Sequence, residues 1–412
     1  MTTTATRSAL AEPLEPVGRA WVVWLSLASI AVWAGFFGPI QVLLAQQAES
    51  VDAAHKETVL ALVTGLGAAV STVLNPVWGA FSDRTVLRIG RRLPWVLGGL
   101  VVGVLAMVVL AQATTVLAMC VGWCLAQGAL NAMLAAITAT VPDQVPVFQR
   151  GAVGGWLAIA QTLGVVLGSG IAMATGSIAA GYLTTAGLLV VLSLPYCLDS
   201  RDIALSPADR PPFEALRFAR SFWVSPREHP DFAWAWITRF LMNLANALLL
   251  LYLLYYLRDA VRLGRKAAEA GVFRLTLLYA VLTVVTAIIG GIWSDRLARR
   301  KVFVTASGYV IAAALLLLAF VHSYPGAYVG AAVLGVYTAV DFALITQVLP
   351  TDADRAKDLG VINIANALPQ VLAPGVAALV LGLGAGYPTL YVLAALAAVL
   401  GSFLVRRIVG VP

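Results

Sequence analysis

Twelve apolar runs, each about 20 residues or longer, follow one another along the chain at 19–45, 57–80, 93–112, 114–140, 151–174, 177–196, 232–257, 270–293, 302–322, 325–348, 357–381 and 386–406. At a rise of about 1.5 Å per residue, each is long enough as a helix to cross roughly 30 Å of hydrocarbon. Inside a bilayer the backbone must satisfy its own hydrogen bonds, which leaves helices or a closed barrel. Segments of about ten residues with alternating polarity, the mark of a barrel, do not occur. With 60% hydrophobic and 11% charged residues over 412 positions and a mean hydropathy of +0.89, the chain is more apolar than a water-soluble core of this size requires. The sequence predicts an all-α integral membrane protein.

Charge sets its orientation. Of 27 Lys and Arg, all but seven fall in the tails and loops that an inside amino terminus makes cytoplasmic. The exceptions are Lys56, Arg258, Arg262, Arg265, Lys266 and Arg274 on the other side and Arg239 within a run. This bias predicts both termini in the cytoplasm and a multi-pass protein of the inner (cytoplasmic) membrane. The net charge of +7 then reads as orientation, and no nucleic-acid partner is expected. The first run is too long for a signal-peptide core and lacks a small-residue cleavage site, so it is expected to be retained. Cys120, Cys124 and Cys197 lie in or beside apolar runs and read as packing residues, not as a disulfide or metal framework.

One long polar interruption, Asp199 to Asp231, carries Pro207, Pro211, Pro212, Pro226 and Pro230. It divides the chain into a tail (1–18), a six-helix bundle (19–197), a cytoplasmic linker (198–231), a second six-helix bundle (232–406) and a short tail (407–412). Within the linker, FEALRFARSFWV from Phe213 is compatible with a short interfacial helix or a plain solvated segment. The bundles repeat one another. GAFSDR from Gly79 closes the second run and GIWSDR from Gly291 closes the eighth, while IAQTLGVVLGSG from Ile159 in the fifth matches IANALPQVLAPG from Ile364 in the eleventh. Internal repeats of this kind are the organisational signature of secondary transporters.

Twelve helices in two pseudo-symmetric bundles, with Gly-x-x-x-Asp-Arg and a basic pair after the second helix and an echo after the eighth, resemble the major facilitator superfamily. Here five residues separate Asp83-Arg84 from Gly90-Arg91-Arg92, followed by Pro94-Trp95. Together with NPVWGAFSDR from Asn75, that longer spacing resembles the glycoside-pentoside-hexuronide cation symporters and the sucrose carriers. The resemblance implies alternating access by a secondary active transporter, with proton-coupled sugar or glycoside symport as the leading activity. Proton-driven efflux of amphipathic drugs or natural products is the alternative, and a channel or non-transporting receptor the rival of another class.

The motif makes a latch in physical terms. A carboxylate at the end of the second helix can meet the positive end of a helix in the other bundle, and arginines can bond the same surface. Pseudo-symmetry predicts Asp83 opposite the start of the eleventh helix near Lys357, and Asp295 opposite the start of the fifth near Arg150. The expected gate set is Asp83, Arg84, Arg91, Arg92, Arg150, Asp295, Arg296 and Lys357. Positive-inside anchoring alone accounts for Arg88, Arg299 and Arg300.

Ionisable groups within the hydrocarbon cost about 3 kcal/mol on insertion scales and are therefore functional candidates. Asp341 and Arg239 each lie about seven residues from the cytoplasmic end of a run, roughly 10 Å deep, and are expected to pair. A merely structural pair is the plain alternative. In the functional version Asp341 takes up and releases a proton under the control of Arg239. Melibiose-type symporters bind sodium through acids in helices two and four. Apart from Glu57 at the outer rim, the first six runs here hold no acid, so sodium coupling by that route is not expected and, for an ion-driven protein, the proton at Asp341 is the remaining candidate.

Amides recur at helical spacing: Gln127 and Asn131; Asn243 and Asn246 with Arg239; Asn363, Asn366 and Gln370. Gln161 stands where the repeat has Asn366. As sets these are expected to line a cavity for a hydroxyl-rich solute, with Trp33 and Trp156 as stacking faces. Helix-to-helix glue is the other use of such amides. Trp21, Trp24, Trp95 and Trp223 are expected at the interface, and the pairs Gly99/Gly103 and Gly164/Gly168 at close helix contacts. No zinc-binding histidine pair and no Walker lysine occurs, so no enzyme activity, cofactor or metal is expected. The expected partners are a small-molecule substrate, protons and the lipid bilayer, with the protein a monomer.

Overall fold

As far as each is described, the apolar runs form helices in the computed structural model, which describes residues 12–200, 202–210, 227–297, 300–321, 323–335 and 355–408. In chain order the helices are α1 (Arg19–Val51), α2 (Lys56–Ser82), α3 (Leu93–Gln112), α4 (Val116–Gln144), α5 (Val147–Ala174), α6 (Ile178–Leu198), α7 (Pro230–Ala260), α8 (Arg265–Leu297), α9 (Arg300–Phe320), α10 (Tyr324–Gly335), α11 (Arg355–Gly382) and α12 (Gly386–Leu404). Among the described residues, eight helices are apolar and long enough to cross a membrane. Asp341 and the linker segment from Phe213 lie outside the described residues.

Several helices outrun their apolar text. α1 continues to Val51 and α4 to Gln144, so Glu49 and Asp143, which hydropathy leaves in loops, are helical. A helix needs only backbone hydrogen bonds to continue beyond the hydrocarbon, whereas hydropathy stops at its edge. α1 passes through a π turn at Pro39–Leu43 and α7 through another at Tyr256–Ala260. Each half therefore widens its opening helix in the same way, and Pro39 supplies a cause in the first by lacking an N–H.

Contacts group the chain into two units: Met1–Pro39 with Val70–Phe213, and Ile40–Ala69 with Glu214–Pro412. In the first, α1 packs on α5 and α6, and α3 on α4 and α6. In the second, α7 packs on α11 and α12, and α9 on α10 and α12. The same pairings recur at matching positions, as duplicated halves require. Small residues permit the closest crossings. A Cβ on Gly164 would lie 2.6 Å from that of Trp33, one on Gly168 2.6 Å from the Gly38 nitrogen, and one on Gly99 2.6 Å from the Ala129 carbonyl oxygen. Gly103 has only ordinary contacts. Trp21 departs from the expected interfacial belt: it is buried against Tyr196, ring centres 6.5 Å apart.

Candidate functional site

At the end of the first unit that carries the Asp-Arg motif, α2 stops at Ser82 and the chain turns through Thr85–Ile89 into α3. Arg92 lies at the start of α3, its side chain only 4% exposed. Three acceptors satisfy it: Asp83 at 2.5 Å, Asp143 of α4 at 2.7 Å and the Ser82 hydroxyl at 2.9 Å. Arg91 reaches the other oxygen of Asp143 at 2.5 Å. Burial opposes the Arg92 charge, but Asp143 and Asp83 outweigh it and raise the guanidinium above its ordinary range. A buried charge is tolerated only when paired and hydrogen-bonded, and this one is both.

A third carboxylate completes the cluster. Asp202, four residues beyond the end of α6, accepts from the backbone N–H groups of Arg92 (2.5 Å) and Leu93 (2.7 Å). These are donors that the first turn of α3 leaves unpaired. Gly90, at φ +112°, lies against this carboxylate, and any side chain there would collide with it. Burial raises the Asp202 carboxyl above its ordinary value, offset in part by the two N–H bonds and Arg92. Hydropathy missed both Asp143 and Asp202. The available signals were an acid directly after Pro142 and an acid near the start of the linker.

The expected gate residues are thus partly assembled. Asp83, Arg91 and Arg92 meet within one unit, where Asp83 pairs with Arg92; the expected partner of Asp83 at the start of α11, Lys357, lies outside the described side chains. Arg84 turns back onto the Ala80 carbonyl at 3.0 Å. Arg150 bonds the carbonyls of Val145 and Pro142, both at 3.0 Å, and lies 3.7 Å from Glu12. The side chains of Asp295, Arg296 and Lys357 are outside the described residues.

In the interior of the first unit, α2 and α4 are joined by amides. Asn131 accepts from Asn75 at 3.0 Å and donates to the Ser71 hydroxyl at 2.9 Å and to the Gln127 carbonyl at 2.8 Å. Gln127 and Asn131 are buried. Trp33 of α1 is half-buried beside Phe36 and Phe37, whereas Trp156 (56% exposed) and Gln161 of α5 are exposed. On α7, Arg239, Asn243 and Asn246 are half-buried, and Asn243 donates to the carbonyl of Arg239 at 3.0 Å and of Ala365 on α11 at 3.5 Å. Gln370 is exposed on α11, which also carries Asn363 and Asn366; the side chains of those two are outside the described residues.

The second unit contains a network that the sequence reading did not anticipate. The last turns of α1 and the start of α2 meet α7, α8 and α12 through polar side chains. Lys56 lies 2.7 Å from Asp259 and 4.8 Å from the centre of the Tyr255 ring, and Tyr387 donates to Asp259 at 3.0 Å. Glu49 pairs with Arg258. Gln46 donates to Glu269 at 2.6 Å, with Arg265 on the same oxygen at 3.1 Å, and Tyr255 donates to the Ala45 carbonyl at 2.7 Å. Gln46 and Glu269 are buried. Charged residues at a run's edge read as interfacial anchors until their partners are known, which is why this network was missed.

The family model described as Major Facilitator Superfamily matches residues 23–273 and 260–412. No curated protein matches the sequence. Among solved structures, a mutant of the nucleoside transporter NupG is similar with a TM-score of 0.75 at 14% identity, covering 94% of this chain and 99% of that one. The human organic anion transporter MFSD10 (TETRAN) is similar with a TM-score of 0.69 at 17% identity, covering 95% and 100%.

Proposed function

Because the chain belongs to the Major Facilitator Superfamily and is a multi-pass membrane transporter, we propose that it carries a small hydroxyl-rich solute, a sugar or glycoside, inward with protons. The motif end faces the cytoplasm and both termini lie there, in the cytoplasmic membrane, as the Lys and Arg bias favours. The protein works as two six-helix bundles, 19–197 and 232–406, joined by the linker.

One observation carries this reading. Glu49–Arg258, Lys56–Asp259 and Gln46–Glu269 tie residues of the first two helices to the second half of the chain. Ion pairs and hydrogen bonds between sequence-distant helix ends are discrete contacts that are either made or broken, as a two-state gate needs. The solute reaches its cavity from outside only when these pairs part. On the cytoplasmic side the Asp83–Arg92–Asp143 cluster holds the ends of α2, α3 and α4 as one block, so that movement there is rigid-body movement.

Substrate class rests on the amides and on the likeness of residues 75–95 to the glycoside symporters. Trp33, Trp156, Gln127, Asn131, Gln161, Asn243, Asn246, Asn363, Asn366 and Gln370 are the proposed cavity set, with Asp341 and Arg239 as the proton pair. Asp295, Arg296, Lys357 and Arg150 complete the proposed cytoplasmic gate beside Asp83, Arg84, Arg91 and Arg92.

The test starts from the purified protein, melted against a panel of disaccharides, glycosides, nucleosides and lipophilic cations, since a ligand of the folded state raises the melting temperature. The stabilising compound is then offered to proteoliposomes under an imposed pH gradient. Accumulation of a sugar against its gradient, abolished by a protonophore, is the expected result. Stabilisation by amphipathic compounds alone, with no sugar uptake, would overturn the proposal in favour of efflux.

A further inference from the structure

The five residues that lengthen the motif, Thr85 to Ile89, fold so as to present apolar surface. Gly90 donates back to the Leu87 carbonyl at 3.1 Å, closing a tight turn, and the Gly90 backbone packs on Asp202. That geometry turns Val86, Leu87 and Ile89 outward together, with Arg88 exposed among them. Three large apolar side chains on a five-residue turn are unfavourable in water and suited to a membrane interface.

Leu87 is also part of a groove. A cavity of about 460 Å³ runs between α2, α3 and α4, walled by Trp78, Leu87, Trp95, Gly98, Val102 and Leu125 and almost wholly apolar. Trp78 and Trp95 lie tilted at 38° to one another with ring centres 5.3 Å apart. The Trp78 indole N–H bonds the Gly128 carbonyl and that of Trp95 bonds Thr85, so the wall presents carbon, not polar atoms. Val102 and Leu125 are exposed at its rim, and a Cβ on Gly98 would meet nothing. From Pro94 to Val102 the groove descends about 12 Å, most of the roughly 15 Å of hydrocarbon in one leaflet.

We infer that this groove binds one anionic phospholipid of the cytoplasmic leaflet, an acyl chain lying between α3 and α4 and the headgroup phosphate meeting Arg88. The proposal rests on the orientation given above and is independent of the transported solute and the coupling ion. An acyl chain gains little by leaving other lipid for an apolar groove, so selectivity comes from the charge. Arg88 is an exposed cation at headgroup depth, and a basic side chain between helix ends on the cytoplasmic side favours acidic headgroups. The lengthened spacer thereby acquires a purpose that positive-inside anchoring does not give it, because anchoring requires Arg88 but not Val86, Leu87 and Ile89.

The full-length protein in neutral detergent would be offered equal amounts of dioleoyl phosphatidylglycerol and dioleoyl phosphatidylcholine, and retained lipid counted by native mass spectrometry. Wild type should keep the anionic lipid about fivefold over the zwitterionic one. Arg88→Gln should remove that preference, and Gly98→Leu, which fills the groove, should lower retention of both. Melting curves without added lipid check that the variants fold, and Arg88→Gln, a surface change, remains informative if Gly98→Leu does not. Equal retention of the two lipids by wild type, or an unchanged preference in Arg88→Gln, would overturn the proposal. Solute uptake is measured separately, so failure here leaves the transport reading standing.

Discussion

Lys56 and Asp259 stand 203 residues apart in the chain and 2.7 Å apart in space. Lys56 opens α2 and Asp259 lies in the π turn of α7, so the pair links the two sequence halves within one compact unit. Tyr387 holds the same carboxylate from α12. If this pair is part of an outer gate, its loss should favour the outward-open state more than it unfolds the protein. Asp259→Asn should cost only about 0.5–1 kcal/mol of stability, as partly exposed pairs do. It should also raise severalfold the rate at which a cysteine placed at Ala45 reacts with a membrane-impermeant maleimide, in a background without the native cysteines. An unchanged labelling rate would remove the pair from the gate.

Arg92 and Asp83 give a contrast within one cluster. Arg92 is buried and Asp83 is 52% exposed, so their removal should differ in kind. Asp143→Ala leaves the Arg92 guanidinium buried with one carboxylate fewer and should cost about 3 kcal/mol. Asp83→Asn should cost under about 1 kcal/mol. Arg92→Lys should not rescue, because an ammonium cannot bridge Asp83, Asp143 and Ser82 together. Urea or thermal unfolding of the detergent-solubilised variants measures the difference.

Asp202 should show an unusual pH signature. Its two backbone bonds act as a helix cap supplied from a distance, and Asp202→Ala should cost about 1 kcal/mol, while Asp202→Asn keeps an acceptor. Burial raises the carboxyl above its unfolded value of 3.8. The folded state therefore binds the proton more tightly, and stability falls as pH rises from about 4 through the folded value. An ion-paired aspartate with a depressed value would behave in the opposite sense. Melting temperatures of wild type and Asp202→Asn should converge near pH 4, with the variant gaining relative to wild type towards pH 7.

Gly168 is required by backbone proximity. With the Gly38 nitrogen 2.6 Å from any added Cβ, the atom in the way cannot rotate aside. Gly168→Val should cost 3 kcal/mol or more, above the usual overpacking range of about 1–3 kcal/mol. Gly154→Ala on the same helix meets nothing and should leave stability unchanged. Yield and melting temperature of the two variants provide the comparison.

Helix number, class and duplication were legible because each depends on a property of single segments: twelve apolar runs, and the echo of GAFSDR in GIWSDR. Glycine packing was legible for Gly99, Gly164 and Gly168 because a missing side chain has one main use between membrane helices. Partner choice was not legible. The Asp83–Arg92 pair was not foreseen, because the intervening loop folds back to make a local contact with little chain entropy to lose, and spacing alone does not show that turn. Glu49, Asp259 and Glu269 escaped notice because hydropathy assigns a charge near a run's end to the interface, whatever it faces. Trp21 misled for the related reason that interfacial preference is an average, and its ring found Tyr196.

Two acids are candidates for the proposed coupling proton, and their positions separate them. Asp341 is proposed for this role from its depth in the tenth run. Glu269 lies at the start of α8, buried between Gln46 and Arg265. A carboxylate that must bind and release a proton in each cycle loses that step when replaced by an amide, yet solute exchange, which needs no net proton movement, continues. Asp341→Asn should therefore abolish gradient-driven accumulation while preserving exchange of internal for external solute. Glu269→Gln retains a partner for Gln46 and should leave accumulation ratios near wild type, changing at most the rate at which the outer side opens. Counterflow and pH-driven uptake in the same proteoliposomes distinguish the two. Lost accumulation in Glu269→Gln with normal exchange, beside an active Asp341→Asn, would move the proton from the tenth helix to the outer network.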